Sequence, residues 1–247
     1  MRTVVLRVAL LGLALGLVVR EVEAQEETCD LPGGNVSIRR VLQGGRWSRS
    51  YETVPIGFGV QTDSRWFWAT SYLGPSGRPP GDPRDPAWRC QYNPQYGIDD
   101  DSSSAWCEGV QGDGIGEVLI LPTAYFEDRL NAVRAPWRLT GLRIWAGFGK
   151  SPALFRANNR LREVRLAVVR KLAAPRGDSI DVQIADQRTF ELQDLDGWQD
   201  VSLPEIRFDE SFYFLALEIR SVYPGARYHD TCISGIIPVT SPVPARP

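Results

Sequence analysis

Residues 163–168 read Glu-Val-Arg-Leu-Ala-Val, and residues 180–184 read Ile-Asp-Val-Gln-Ile. In both stretches apolar and polar side chains alternate, which places one kind on each face of an extended chain. Helical spacing is scarce in the rest of the sequence, and residues 124–133 are the one modest candidate. The alternation therefore predicts half-buried β-strands and an all-β fold.

Short segments of the same character follow one another from Gly116 onward, separated by turns rich in Gly, Pro and Asp. Many short strands without intervening helices indicate an antiparallel sandwich or barrel. Residues 46–72 can supply one or two further strands, whereas residues 74–86, with five prolines and three glycines, predict a surface loop. The predicted strands are Glu117–Leu121, Leu139–Ala146, Glu163–Val169, Ile180–Ala185, Thr189–Gln193, Gln199–Leu203, Phe212–Val222 and Cys232–Val239.

The first 24 residues have the character of a signal peptide. Two arginines precede an apolar run over residues 8–19, which is shorter than the roughly 20 residues that a membrane helix needs. Cleavage after residue 24 would leave Gln25 at the N-terminus and 25 basic and 28 acidic residues in the chain. We therefore expect a secreted or periplasmic protein without a membrane span, and the absence of a basic stripe predicts no nucleic-acid partner.

The exported part of the chain is long enough for one all-β domain with an extension. Residues 25–65 lack a sustained pattern and predict an N-terminal extension, and residues 66–240 contain the predicted strands. Residues 241–247 are rich in proline and predict a disordered tail.

The cysteines are Cys29, Cys90, Cys107 and Cys232, an even set. In an exported protein such a set predicts two disulfides, and a chain with one histidine is a poor candidate for a Cys/His zinc site. Counting alone leaves all three connectivities open.

Three separated segments carry a resemblance to a known family. They are residues 102–109 running into 112–117, residues 147–151 with Phe155 and 158–160, and residues 223–225 with 228–234. Together they resemble the discoidin-like domain associated with the translocation region of bacterial NAD glycohydrolases, an NADase-type glycan-binding domain of the galactose-binding-like superfamily.

The resemblance implies an eight-stranded jelly-roll β-sandwich whose loops hold the ligand. It does not imply NAD hydrolysis, because the catalytic unit of such proteins is a separate domain. It favours pairing of Cys107 with Cys232, which lie in matching segments, and of Cys29 with Cys90. Ser234-Gly235 stands where such domains often carry Ser-Glu, so a role for that carboxylate, including a metal contact, is not carried over.

The matching segments supply the ligand-binding candidates, which we expect to converge at one end of the sandwich. The indole of Trp106 could stack on a sugar, or could be a core residue that starts a strand. The amide and guanidinium groups could bind an oxygen-rich ligand, or could satisfy the loop backbone and a local acid. The candidates are Trp106, Glu108, Asn158, Asn159, Arg160, Tyr223, Tyr228, His229 and Asp230.

Catalytic, metal and cofactor sites are not expected. Adjacent His229 and Asp230 cannot provide the geometry of a catalytic triad, and the glycine-rich residues 109–116 lead into a strand and not a phosphate-binding helix. Residues 99–101 are three adjacent acids without calcium-ligand spacing. The sequence therefore predicts a secreted, non-catalytic module that binds a glycan. The alternative is a protein-interaction or structural scaffold domain on the cell surface.

Overall fold

The computed structural model describes residues 51–55, 69–78, 81–82, 88, 90–122, 137–172, 179–209 and 211–242. Several predicted features lie outside these residues: the signal peptide, Cys29, the candidate helix at 124–133 and residues 243–247 of the tail. Within the described chain no helix is both long and apolar enough to cross a membrane.

Strands dominate the described chain. Because the alternating segments can bury one face only, they associate into sheets that cover one another's apolar sides. The strands are β1 (Tyr51–Pro55), β2 (Trp106–Cys107), β3 (Val118–Pro122), β4 (Trp137–Trp145), β5 (Asn159–Lys171), β6 (Ser179–Glu191), β7 (Trp198–Phe208), β8 (Phe212–Tyr223), β9 (Thr231–Ile233) and β10 (Gly235–Pro242).

The described strands form two sheets. The larger has the order β1-β6-β5-β8-β3, and β9 extends it by pairing with both β5 and β2. The smaller has the order β10-β4-β7. Pairing is antiparallel throughout the described sheets except between β5 and β9, which run parallel. The predicted N-terminal extension, residues 25–65, contains β1, which pairs with β6.

The main core lies between the two sheets. Leu142 and Ile144 of β4 face Leu166 of β5 and Leu217 of β8 in one apolar cluster, and each of them is at most 2% exposed. Burial of this kind contributes roughly 25 cal/mol per Å² of apolar surface. The predicted all-β sandwich is thereby confirmed.

Three local features differ from the predicted elements. β6 is one strand where two were predicted, and residues 231–242 form two strands in different sheets where one was predicted. Helix α1, Pro152–Ala157, was not predicted. The Ser151 side chain caps it by accepting a hydrogen bond from the Leu154 amide at 3.2 Å, and Pro152 suits its first turn.

Four connections meet at one end of the sandwich, which we call the loop end. The start of β5 lies beside the ends of β6 and β8, because β5 pairs antiparallel with both strands. The end of β4 lies there too, because the Leu161 amide donates a hydrogen bond to the Ala146 carbonyl. The connections are residues 108–117 between β2 and β3, 146–158 between β4 and β5, 192–197 between β6 and β7, and 224–230 between β8 and β9.

Candidate functional site

Trp106 is part of the core. Its side chain is fully buried in the main apolar cluster, and its indole N–H donates to the Ser71 carbonyl at 2.8 Å. The Cβ that any substitution of Gly97 would add lies 2.8 Å from the Trp106 Cβ, so the backbone packs directly against this residue. Of the two interpretations of Trp106, the structure supports the core position, and the ring is not available to a ligand.

Asn159 joins two loop-end connections, residues 108–117 and 224–230, from a fully buried position at the start of β5. Its side-chain amide donates to Asp113 Oδ1 at 3.0 Å and to the His229 carbonyl at 2.6 Å. Its side-chain oxygen accepts from the Gly225 amide at 2.7 Å. The hydrogen bond from Asn159 holds the pKa of Asp113 below its usual range, and a smaller effect comes from His229. Every polar atom of this side chain is thus used to hold loops.

Arg160 has the same kind of role on the other side of β5. Its guanidinium forms a forked pair with Asp194, with distances of 2.9 and 2.5 Å, and donates to the carbonyls of Asn158 and Pro224 at 3.2 and 2.6 Å. The ring of Phe155 lies 5.5 Å from the guanidinium carbon. A planar donor with fixed geometry is well suited to such bidentate pairing. Arg160 therefore joins connections 192–197 and 224–230.

Two further candidates are also committed to neighbours. The Asn158 amide donates to the Leu154 carbonyl at 2.9 Å and closes helix α1. The Tyr223 hydroxyl donates to the Leu192 carbonyl at 2.9 Å, and the guanidinium of Arg162 lies 5.7 Å from its ring centroid. Asn158, Asn159, Arg160 and Tyr223 thus lie together at the loop end, where they position its backbone.

Glu108 is a buried carboxylate beneath the loop end. It is 0% exposed, and its two oxygens accept hydrogen bonds from the Thr231 amide at 3.1 Å and the Val110 amide at 2.8 Å. Gly114, with a positive φ of 67°, packs against it so closely that a Cβ there would lie 2.4 Å from Glu108 Cγ. Burial raises the pKa of Glu108 to about 7, and the charges of Asp230 and Glu117 add to the rise.

The stability of the protein is expected to fall as the pH rises from about 5 to about 8. With its pKa raised to about 7, Glu108 keeps its proton in the folded protein at pH values where it is ionised in the unfolded chain. This contribution is complete below the unfolded pKa and is lost as the pH rises through about 7, and it amounts to about 2–3 kcal/mol. Urea unfolding across this pH range measures it, and Glu108→Gln should flatten the dependence near pH 7.

Asp99 also makes stability fall as the pH rises, but at lower pH, because burial raises its pKa to about 6. The Glu108→Gln variant should therefore keep some pH dependence of stability below pH 7. Glu163→Gln, which neutralises an exposed carboxylate on β5, is the matched control and should keep the wild-type profile. If Glu108→Gln showed the wild-type slope near pH 7, the assignment to Glu108 would be wrong.

Tyr228 and His229 are the surface members of the candidate set. Tyr228 is 37% exposed, and the guanidinium carbon of Arg227 lies 5.0 Å from its ring centroid. The His229 side chain is 80% exposed, and its Nδ1 lies 3.1 Å from Asp113 Oδ1. The backbone N–H groups of Arg227 and Tyr228 donate to the Ala157 carbonyl at 3.1 and 2.8 Å. An exposed aromatic ring is therefore held on an anchored backbone.

Asp230 lies two residues after Tyr228 in the same connection. In the part of the chain that the structure describes, its carboxylate forms no ion pair. Its one hydrogen-bond donor among these residues is its own backbone N–H. Burial raises its pKa above the usual range, although the charge of His229 opposes the rise. A partly buried carboxylate without a cation is a frequent mark of a functional site.

Tyr92 is the site residue that the sequence did not reveal. Its half-buried ring packs edge-on against Phe148 with centroids 6.1 Å apart, next to the Cys107–Cys232 disulfide. Burial raises its pKa, and the charges of Asp230 and Tyr228 raise it further, so the three groups are electrostatic neighbours. The hydroxyls of Tyr92 and Tyr228 form no hydrogen bond with any described residue.

The disulfide between Cys107 and Cys232 confirms the pairing that the resemblance favoured. It joins the paired strands β2 and β9 directly beneath the loop end. Cys90 is also disulfide-bonded, and its predicted partner, Cys29, lies outside the described residues.

The charged side chains of two other regions bond to groups within the same region. Asp99 and Asp101 accept hydrogen bonds from the backbone of their own turn. At the opposite end of the sandwich, a groove of about 290 Å³ contains Arg170 and Arg207, which pair with Asp209 and Glu205. Among the described residues, no group of three or more His, Cys, Asp or Glu side chains could hold a metal ion.

Comparison with known proteins assigns the fold. Residues 86–238 match the family described as the NAD glycohydrolase translocation F5/8 type C domain. The chain belongs to this family. Its sandwich is accordingly a discoidin-like one, and the match contains every loop-end residue discussed above.

Other similarities are distant. No curated protein is detectably similar in sequence. Among solved structures, a truncated AlyQ with CBM32 and alginate lyase domains is similar over 62% of this chain, with a TM-score of 0.34 and 8% sequence identity. The similar region makes up 30% of that protein's chain.

Proposed function

We propose that this protein is an exported, non-catalytic carbohydrate-binding module that holds a glycan at the loop end. The observation that carries the proposal is the grouping of Tyr92, Tyr228 and Asp230. It combines two aromatic rings, two hydroxyls that no described residue hydrogen-bonds, and a carboxylate that no described side-chain donor reaches. Aromatic rings stack on the C–H faces of sugars, and hydroxyls and carboxylates bond to sugar hydroxyls.

The anchored loops support this proposal. Asn159, Arg160 and Glu108 fix the backbone of the connections that carry the three groups. A site whose backbone is already fixed loses less conformational freedom on binding, which raises affinity for a given set of contacts.

A binding role agrees with the family and with the chemistry of the loop end. The family is named for translocation and for the F5/8 type C fold, and a module of this kind would direct a partner or target and not perform the reaction. His229, the one histidine of the chain, pairs with Asp113 on an exposed loop. Among the residues that the structure describes, its neighbour Asp230 has no orienting side-chain partner of the kind that a catalytic acid requires.

Export is supported by two independent features. Residues 1–24 have the pattern of a signal peptide. The Cys107–Cys232 disulfide belongs to oxidising compartments such as the periplasm or the extracellular space.

The decisive test is the loss of glycan binding in Tyr228→Ala. A glycan array identifies a ligand of the exported protein, and calorimetry then compares the variants. Because the ring is partly exposed in the free protein and would be covered by a sugar, its removal should weaken binding by about 1–3 kcal/mol while stability changes little.

Val239→Ala is the matched control. Val239 is a similarly exposed apolar side chain, 40% accessible, on β10 and away from the loop end. Its truncation should leave affinity unchanged. Equal affinities of the wild type and a folded Tyr228→Ala variant would refute the site, and an array without any bound glycan would refute the function.

A second candidate function is a protein-interaction module. Ile115 is 52% exposed and Leu195 is 46% exposed, and both lie in loop-end connections, as Tyr228 does. Exposed apolar side chains grouped at one surface are typical of protein contacts. Ile115→Ser and Leu195→Ser separate the two candidates, because glycan affinity would survive these changes and a protein contact would not.

A further inference from the structure

Asp230 differs from the other carboxylates that face the loop end. Asp113 accepts a hydrogen bond from the Asn159 side-chain amide and contacts His229 Nδ1, and Asp194 pairs with the Arg160 guanidinium. Asp230 is more buried than either, yet no described cation or side-chain donor reaches it. A carboxylate that is partly removed from water gains most from a positive partner. A positively charged ligand group is therefore the kind that Asp230 favours.

The two tyrosines favour the same kind of group. The face of an aromatic ring attracts a cation, and the attraction grows as water is excluded. One cation, Arg227, already lies 5.0 Å from the Tyr228 ring centroid. Tyr92 carries no such neighbour among the described residues, and its open hydroxyl can accept a hydrogen bond from an N–H donor.

The surroundings are acidic as well. The segment 99–101 belongs to the loop end, because a Cβ on Gly149 would lie 2.9 Å from the Ser102 carbonyl oxygen. Around the site, carboxylates outnumber arginines and lysines, so an anionic sugar would meet repulsion. The carboxylates are Asp99, Asp100, Asp101, Asp113, Asp194, Asp196 and Asp230, and the cations are Lys150, Arg156, Arg227 and Arg160, which pairs with Asp194.

We propose, resting on the function proposed above, that the loop end binds glycans through a primary ammonium group, as in 2-amino-2-deoxy sugars. Asp230 pairs with the ammonium, and the rings of Tyr92 and Tyr228 line the space that it enters. The ligand class is thus amino sugars, with N-acetylated sugars weaker and uronic acids excluded.

Three hexasaccharides of different charge test this assignment by calorimetry: β-1,4-linked glucosamine, the same hexamer N-acetylated, and a uronic acid hexamer. We expect glucosamine to bind about tenfold or more tightly than its acetylated form, because a hydrogen bond to a charged group exceeds a neutral one by about this factor. The uronic acid hexamer should not bind measurably. Equal or tighter binding of the acetylated hexamer would overturn the proposal.

Asp230→Asn keeps the shape of the side chain and removes its charge. In this variant the preference for glucosamine should fall to about twofold or less. Asp196→Asn removes the same charge from an exposed residue at the same end, and the preference should persist. An equal loss in both variants would show that the general field of the loop end is responsible and not Asp230.

The pH profile gives a second measurement. Affinity for glucosamine should rise as Asp230 loses its proton, at a pH above the usual range for aspartate because burial raises its pKa. Affinity should fall again as the amine loses its proton. Asp230→Asn should abolish the acid side of this curve.

The two proposals fail in different ways. If another glycan binds in a Tyr228-dependent manner and glucosamine shows no preference, the ammonium assignment is wrong and the carbohydrate-binding function stands. If none of the array glycans and none of the three hexamers binds, both are wrong.

Discussion

Replacing Trp106 with alanine is expected to lower the free energy of unfolding by about 3–5 kcal/mol, the usual cost of removing a large aromatic side chain from a packed core. The ring is fully buried between the sheets, so its loss leaves a cavity. The Ser71 carbonyl also loses its indole donor. Urea unfolding monitored by circular dichroism measures the change.

Trp106→Phe separates the two contributions, because it keeps most of the volume and removes the hydrogen bond. It should cost about 1–3 kcal/mol, clearly less than alanine. Glycan affinity of the folded fraction should be retained in Trp106→Phe, whereas Tyr228→Ala should lose affinity and retain stability. A Trp106→Ala variant with wild-type stability and impaired binding would contradict the core position.

The sheets could be predicted from the sequence where one face of a strand is buried and the other is not. β5 has that character at residues 163–166, where Val164 and Leu166 are buried and Glu163 and Arg165 are not. β8 is buried on both faces over residues 214–219 and was predicted from its apolar run, and the predicted bounds of both strands differ from the observed ones mainly at the ends. β6 was predicted as two strands, because residues 186–188 are polar. In the structure this stretch continues to pair with β5, and the backbone hydrogen bonds do not depend on side-chain polarity.

The strand change at Ser234 could not be predicted from periodicity. Residues 232–239 read as one largely apolar run, yet β9 pairs with β5 and β2 whereas β10 pairs with β4. Ser234 marks the crossing: its amide donates to the Trp145 carbonyl at 3.2 Å, and its hydroxyl accepts from the Gly149 amide at 2.9 Å. These partners are about 85 residues away in sequence, so the local sequence pattern cannot predict the contact.

The structure places the matching segments at one end of the sandwich, but the burial of several candidate side chains was not predicted from the sequence. Asn159 and Arg160 carry side chains that suit a ligand and suit loop backbone equally well, and only the burial of the start of β5 decides between these uses. Tyr92 escaped notice because it lies outside the three segments that carry the resemblance. Its position next to a disulfide-bonded cysteine was the one available signal.

The Cys107–Cys232 disulfide contributes both to stability and to the site, because it closes a loop of 125 residues and joins the two strands that border Glu108 and Asp230. The double variant Cys107→Ala/Cys232→Ala is expected to lose about 4 kcal/mol, since cross-linking a loop of this length strongly restricts the unfolded chain. For a domain of this size the melting temperature should fall by roughly 10 °C. Scanning calorimetry with and without reductant supplies the control, because the disulfide of Cys90 remains in the variant and any further fall on reduction belongs to it. A double variant that melts within about 2 °C of the oxidised wild type would show that sheet packing alone holds β2 against β9.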